Sequence, residues 1–152
     1  MTIHQRNVEA ICDGTVIDHI PAGQGLVILS QFGLNDLGER VTVGFNLTSQ
    51  DMGHKDIIKV ENVHFNAEQA NRLAFFAPNA TVNVIRNYEV AEKLSLHLPS
   101  EVQGLFRCPN ANCASHKEPV LSRFKVKSKD GDVKLRCHYC EKTYARKLVT
   151  EA

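Results

Sequence analysis

The chain has 152 residues, of which 43% are hydrophobic and 23% charged, with a formal net charge of +1. That is globular composition, enough for one domain or two small ones and too apolar for intrinsic disorder. Apolar runs such as GLVIL (25–29) are too short to span a bilayer, and MTIHQRNVEAICDG lacks the basic segment and apolar core of a signal peptide, so a cytoplasmic location with reduced thiols is expected.

VEAICDGTVIDHIP (8–21), β-branched and closed by Pro21, reads as a strand with a break at Asp13-Gly14. GQGLVILSQFGL (23–34) spaces Leu26, Leu29 and Phe32 as a helix does. RVTVGFNL (40–47) alternates, which predicts Val41, Val43, Phe45 and Leu47 on one face of a strand. The turn TSQDMG joins it to a second strand, KDIIKVENVHF (55–65), as a hairpin. Asn66 and Gln69 form a capping-box pair ahead of Ala70, Leu73, Ala74 and Ala77, one helical stripe ended by Pro78. ATVNVIRNYEVAEK (80–93) reads as the last strand. The order is the split βαβ (ferredoxin-like) arrangement, an antiparallel sheet with two helices on one face and the other left open.

Beyond LHLPSE (96–101) the charge changes sign. Residues 1–99 hold 7 Lys and Arg against 11 Asp and Glu, and residues 100–152 hold 11 against 6, or about −4 and +5. Two domains, 1–99 and 100–152, are expected to meet different partners. The second contains four of the five cysteines, as CPNANC (108–113) and CHYC (137–140). Disulfides disagree with a reducing compartment, and a redox pair would leave Cys108 and Cys113 unexplained. One structural zinc ion held by Cys108, Cys113, Cys137 and Cys140 uses all four, and His116 and His138 are then surplus to a closed shell. The metal supplies folding free energy that so small a unit lacks. FKVKSKDGDVKLRC (124–137) is a hairpin turning at Asp130-Gly131, with Lys125, Lys127 and Lys129 on one face and Phe124 and Val126 on the other. This second unit is therefore a small all-β domain, and the whole chain is α+β. Cys12, on the first strand, is expected in the core.

A basic zinc ribbon suits nucleic acid, but aromatics interleaved with the lysines are missing, and an acidic protein surface is an equally good partner. An enzyme is not expected. No serine-histidine or cysteine-histidine constellation stands out, and the closed shell leaves no position for water.

VEAI with GTVIDHIP, GHKDIIKVEN (53–62), APNATVNVIRNYEV (77–90), and CPNANCASHKEPV with CHYCEK resemble the regulatory chain of aspartate carbamoyltransferase, in the right order from Val8 onward. The resemblance implies a non-catalytic subunit that pairs with a second copy through its N-terminal domain and grips the catalytic chain through its zinc domain. It implies inhibition by CTP, activation by ATP and a further effect of UTP, in de novo pyrimidine biosynthesis, with neither a nucleic acid nor a membrane as partner. Matching positions assign Asp18 and Lys59 to the ribose and base, and His19 and Lys93 to the triphosphate. They assign Ala10, Ile11, Ile85 and Tyr88 to the base edge, with Val90 packing nearby and Asn83 and Lys55 in the same neighbourhood. Asn110, Asn112, Glu141 and Lys142 match positions that meet the catalytic chain. Before Val8 the sequence lacks the family's lysine, leaving Arg6 or His4 in its place, and Cys12-Asp13 replaces a more basic pair.

Overall fold

The computed structural model describes residues 10–151. Between His97 and Leu98 the chain divides into two compact units. The first contains β1 (Gly14–Pro21), α1 (Gly25–Gln31), β2 (Val41–Ser49), β3 (Gly53–Glu61), α2 (Ala67–Leu73), β4 (Thr81–Arg86) and β5 (Glu89–Leu94). Its strands form one sheet in the order β2-β3-β1-β4-β5, with every neighbouring pair antiparallel. Thr15, Ile17, Ile58, Val60, Val82 and Val84 share one buried face of the three central strands. Ile28 of α1 and Ala70 and Leu73 of α2 are buried with them. The capping box is present: the Gln69 amide N–H donates to Asn66 Oδ1, and the Asn66 N–H donates to Gln69 Oε1.

Three local expectations needed revision. The run 80–93 is two strands, folded back at Asn87-Tyr88, where both residues have positive φ (53° and 64°). Only Asn87 carried a sequence signal for that turn. In β2 the alternation fails at a bulge between Gly44 and Leu47, which pairs Leu47 with Lys55 on the face opposite Val41 and Val43 and leaves Phe45 beside α1 but 51% exposed. The cause is Asp56, which draws the Asn46 N–H to its carboxylate at 2.8 Å while Asn46 turns to φ 55°. Cys12 is exposed and precedes β1. Its carbonyl accepts from the Tyr88 N–H at 2.8 Å, so the backbone there braces the β4–β5 turn and the side chain points away from the core.

Gly14 opens β1 at φ +145°, and a Cβ placed on it would lie 2.0 Å from the Val60 carbonyl oxygen. That atom belongs to a paired neighbouring strand and has nowhere to go. Gly14→Ala is therefore expected to destabilise the first unit by about 2–4 kcal/mol, read as a lowered urea midpoint in far-ultraviolet circular dichroism.

The second unit contains β6 (Glu101–Gln103), β7 (Phe106–Arg107), β8 (Arg123–Lys129), β9 (Asp132–Cys137), β10 (Thr143–Ala145) and β11 (Thr150–Glu151). Four strands form a sheet in the order β10-β9-β8-β6, and β11 pairs with β7. Asp130 and Gly131 turn the β8–β9 hairpin with positive φ at both positions, as the Asp-Gly signal requires. Phe106, Phe124, Leu135 and Val149 make the core, while Lys125, Lys127 and Lys129 are exposed. Across the hairpin Lys125 faces Arg136 and Lys127 faces Lys134, so like charges stand directly opposite one another. Among the described residues no helix is long and apolar enough to cross a membrane.

Candidate functional site

The four cysteines converge. Their sulfurs lie within 4.8 Å of one another, with Cys108 to Cys140 and Cys113 to Cys137 each 3.7 Å apart. Cys108, Cys113 and Cys137 are buried, and Cys140 is half-buried. Two tight turns present them. In the first, the Cys113 N–H donates to the Asn110 carbonyl, and the Asn110 side chain accepts from the Asn112 N–H at 3.0 Å. In the second, the Glu141 N–H donates to the Cys137 carbonyl, with Glu141 in the left-handed region at φ 62°. Backbone N–H groups of Asn110, Ser115, Tyr139, Cys140 and Lys142 point at the sulfurs, and Ser115 Oγ donates to Cys113 Sγ at 3.2 Å. Such donors favour thiolates. Burial pushes the Cys108 thiol up to about 12, with the Cys140 and Cys137 sulfurs adding to the shift against the Asn110 N–H. Burial also opposes ionisation of Cys140, but the Lys142 N–H and the neighbouring thiols outweigh it and bring that group down to about 7. A cation entering the cluster must therefore displace protons. His116 bonds the Cys108 carbonyl through Nε2 at 2.8 Å, and His138 packs edge-on against Tyr139, so neither belongs to the sulfur cluster.

The first unit gathers another set of residues on the sheet face opposite its buried core. Register places Lys59 beside Val16, Val16 beside Asn83 and Asn83 beside Lys93, one row across β3, β1, β4 and β5. Paired residues share a face, so Lys59, Asn83 and Lys93 project together, and Lys59 is 8% exposed. Two residues along, Asp18 pairs with Thr81; two residues the other way, Gly14 pairs with Ile85, which in turn faces Val90. A β1 bulge between Ile17 and Ile20 sets Asp18 and His19 out of the ladder with β3, with His19 at φ 57°. Asp18 Oδ1 is 2.9 Å from Lys55 Nζ, and His19 Nδ1 is 3.0 Å from Thr81 Oγ1. Ala10 and the buried Ile11 precede β1 on the segment tied to the exposed Tyr88. The Ile85 and Asp18 levels are four residues apart on β1, about 13 Å. The arrangement gives an elongated anionic ligand an apolar end, a carboxylate and several cations. Arg6 and His4 lie outside the described residues.

Two comparisons decide the family. Residues 6–97 match the family described as aspartate carbamoyltransferase regulatory chain, allosteric domain, and residues 100–150 match the metal binding domain of the same chain. The chain belongs to the aspartate carbamoyltransferase regulatory chains. It is similar to the regulatory chain of Chromobacterium violaceum, 60% identical over 97% of each chain. It is likewise similar to that of Tolumonas auensis, 58% identical over 97% of this chain and 96% of the relative, and to that of Neisseria meningitidis serogroup B, 59% identical over 96% of both. As a regulatory chain it is a non-catalytic subunit, with an allosteric domain and a metal-binding domain.

Within that family's frame, the sequence reading had not singled out Val16 or Thr81, which only strand register brings beside the named residues. Asn112, Glu141 and Lys142 are exposed on the two cysteine turns. Asn110 is half-buried, and its side-chain oxygen is committed to the turn. Tyr139 stands next to them, its hydroxyl donating to the Leu121 carbonyl at 3.0 Å.

Proposed function

We propose that this chain is the zinc-bearing allosteric subunit of a cytoplasmic aspartate carbamoyltransferase in de novo pyrimidine biosynthesis. Its first unit binds CTP, ATP and UTP and pairs with a second copy, and its second unit docks on the catalytic chain. The observation that carries this reading is the shared sheet face of Asp18, Lys59, Asn83 and Lys93 within the domain matched as allosteric. Zinc suits the all-sulfur set, since a borderline-soft cation without geometric demands of its own takes four thiolates tetrahedrally. Zn–S bonds of about 2.3 Å place tetrahedral sulfurs about 3.8 Å apart, close to the 3.7 Å separations of the two pairs. Cys108, Cys113, Cys137 and Cys140 would hold the ion, which fixes the two turns and so presents Asn112, Glu141 and Lys142 to the catalytic chain.

In this reading Asp18 accepts ribose hydroxyls, Lys59 donates to ribose and base, and Lys93 and His19 meet the phosphates. Ala10, Ile11, Ile85, Tyr88 and Val90 surround the base. Regulation follows from differential affinity: CTP favours the less active quaternary state and ATP the more active one, with coupling of about 1–3 kcal/mol. The test is the carbamoyltransferase rate of the cognate catalytic chain, with and without this metal-loaded chain, as CTP is titrated. A larger complex whose rate responds to CTP supports the reading, and no association defeats it. Lys93→Ala is expected to weaken CTP binding by about tenfold through loss of a charge-assisted phosphate contact while leaving the complex intact on a sizing column. A full CTP and ATP response from that variant removes Lys93 from the site.

The like-charged rungs of the β8–β9 hairpin favour one second reading, a nucleic-acid surface. Tight, salt-sensitive retention of RNA or DNA by the full chain would support it.

A further inference from the structure

Asp18 is the one carboxylate among the residues assigned to the nucleotide, and its two oxygens are used unequally. Oδ1 accepts from Lys55 Nζ at 2.9 Å and from the His19 backbone N–H at 2.6 Å. The second contact depends on the β1 bulge, where His19 sits at φ 57° and turns its N–H back onto the preceding side chain. Lys55 reaches across from β3, where it pairs with Pro21, just beyond that bulge. Its side chain is 19% exposed and that of Asp18 is 23% exposed, so both are held against the sheet and not extended into solvent. Oδ2 accepts no hydrogen bond from another described residue. A carboxylate with one oxygen doubly anchored has a fixed plane and a single free acceptor edge.

We propose that Lys55 is a positioning residue of the effector site, which clamps Asp18 Oδ1 so that Oδ2 is aimed at a ribose hydroxyl. This rests on the effector reading above and assigns Lys55 a part in it distinct from that of Lys59 and Lys93. Lys55 acts on the nucleotide through Asp18, whereas Lys59 and Lys93 touch it. The consequence is specific. Loss of the Lys55 ammonium leaves Oδ1 held by the His19 N–H alone, so that the carboxylate turns about that one contact and discrimination for the hydroxyl falls, while phosphate recognition is untouched. A lysine that met the phosphates directly would lower the affinity of every nucleoside triphosphate alike.

The experiment is calorimetric titration of the full metal-loaded chain with CTP, 2′-deoxy-CTP and 3′-deoxy-CTP. The proteins compared are wild type, Lys55→Met, Lys55→Arg, Asp18→Asn and the Lys55→Met/Asp18→Asn double variant. Wild type is expected to bind CTP about tenfold more tightly than the analogue missing the hydroxyl held by Asp18. Lys55→Met loses most of that preference, Lys55→Arg restores it, and the double variant binds CTP no more weakly than Asp18→Asn, because the two residues act as a unit. Equal weakening of CTP and both analogues by Lys55→Met, additive with Asp18→Asn, overturns the positioning role and makes Lys55 a direct phosphate contact. Tight CTP binding by wild type with no preference over either analogue overturns the role of Asp18 as well. No binding of any nucleotide by wild type overturns the effector reading itself and this inference with it.

Discussion

Cys113→Ser is expected to release the metal and unfold the second unit while the first unit keeps its structure. Cys113 is 1% exposed, its sulfur lies 3.7 Å from Cys137, and it accepts from Ser115 Oγ. A serine oxygen there is a poor, protonated ligand set too far back to complete the shell. Structural zinc sites contribute about 10–16 kcal/mol of apparent binding free energy, far more than a unit of this size gains from Phe106, Phe124, Leu135 and Val149 after the entropy of ordering its chain. The check is metal content by a chromogenic chelator together with amide dispersion of residues 98–151. Cys12→Ser, which changes an exposed thiol outside the cluster, serves as the control and should retain stoichiometric metal. Stoichiometric metal and dispersed amides in Cys113→Ser would show that the other three cysteines suffice, and the closed four-sulfur shell would have to be abandoned. Acidification should mimic the substitution, since thiolates recover protons and release the ion as pH falls.

Asp56→Ala is expected to cost the first unit about 3–5 kcal/mol, because three backbone N–H groups lose one buried acceptor together. Asp56 is fully buried. Oδ2 accepts from Gly23 at 3.0 Å and Gly25 at 2.9 Å, and Oδ1 accepts from Asn46 at 2.8 Å. These contacts cap the start of α1, which has no side-chain cap of its own, and fasten it to the β2 bulge. Gly25 must be glycine for this approach, since a Cβ there would lie 2.8 Å from Asp56 Oδ2. Asp56→Asn is the sharper probe. It preserves volume, yet its amide NH2 would confront at least one of the three donors. Faster exchange of the Gly23, Gly25 and Asn46 amides in both variants is the expected result, and unchanged protection would show that the cluster is not what holds α1 to β2.

The two units were legible to different depths. Cysteine spacing was enough for the metal centre, because C-x4-C and C-x2-C encode short turns whose geometry is local. The Asp130-Gly131 hairpin and the Asn66–Gln69 capping box were readable for the same reason: each depends on residues within a few positions of one another. The sheet-face residues were assigned by family resemblance, and no local signal in Asp18, Asn83 or Lys93 distinguishes a ligand from a solvated side chain. The alternation in RVTVGFNL was a sound signal that gave a wrong face for Leu47, because the Asp56 carboxylate, ten residues beyond Asn46 on the next strand, holds a bulge that shifts the register.

By itself the sequence determined the α+β class, the order of elements from β1 to β4, the change in charge between the two halves and the identity of the four metal-ligand candidates. These follow from periodicity, turn chemistry and spacing, which act over short stretches of chain. Tertiary structure alone decided that 80–93 folds back as two strands, that Cys12 stands outside the core and that Asp56 is buried as an anchor. It also decided that Lys59, Val16, Asn83 and Lys93 form one row and that Lys55 grips Asp18. Each of these depends on register between strands remote in sequence, where a shift of one residue moves every side chain to the opposite face.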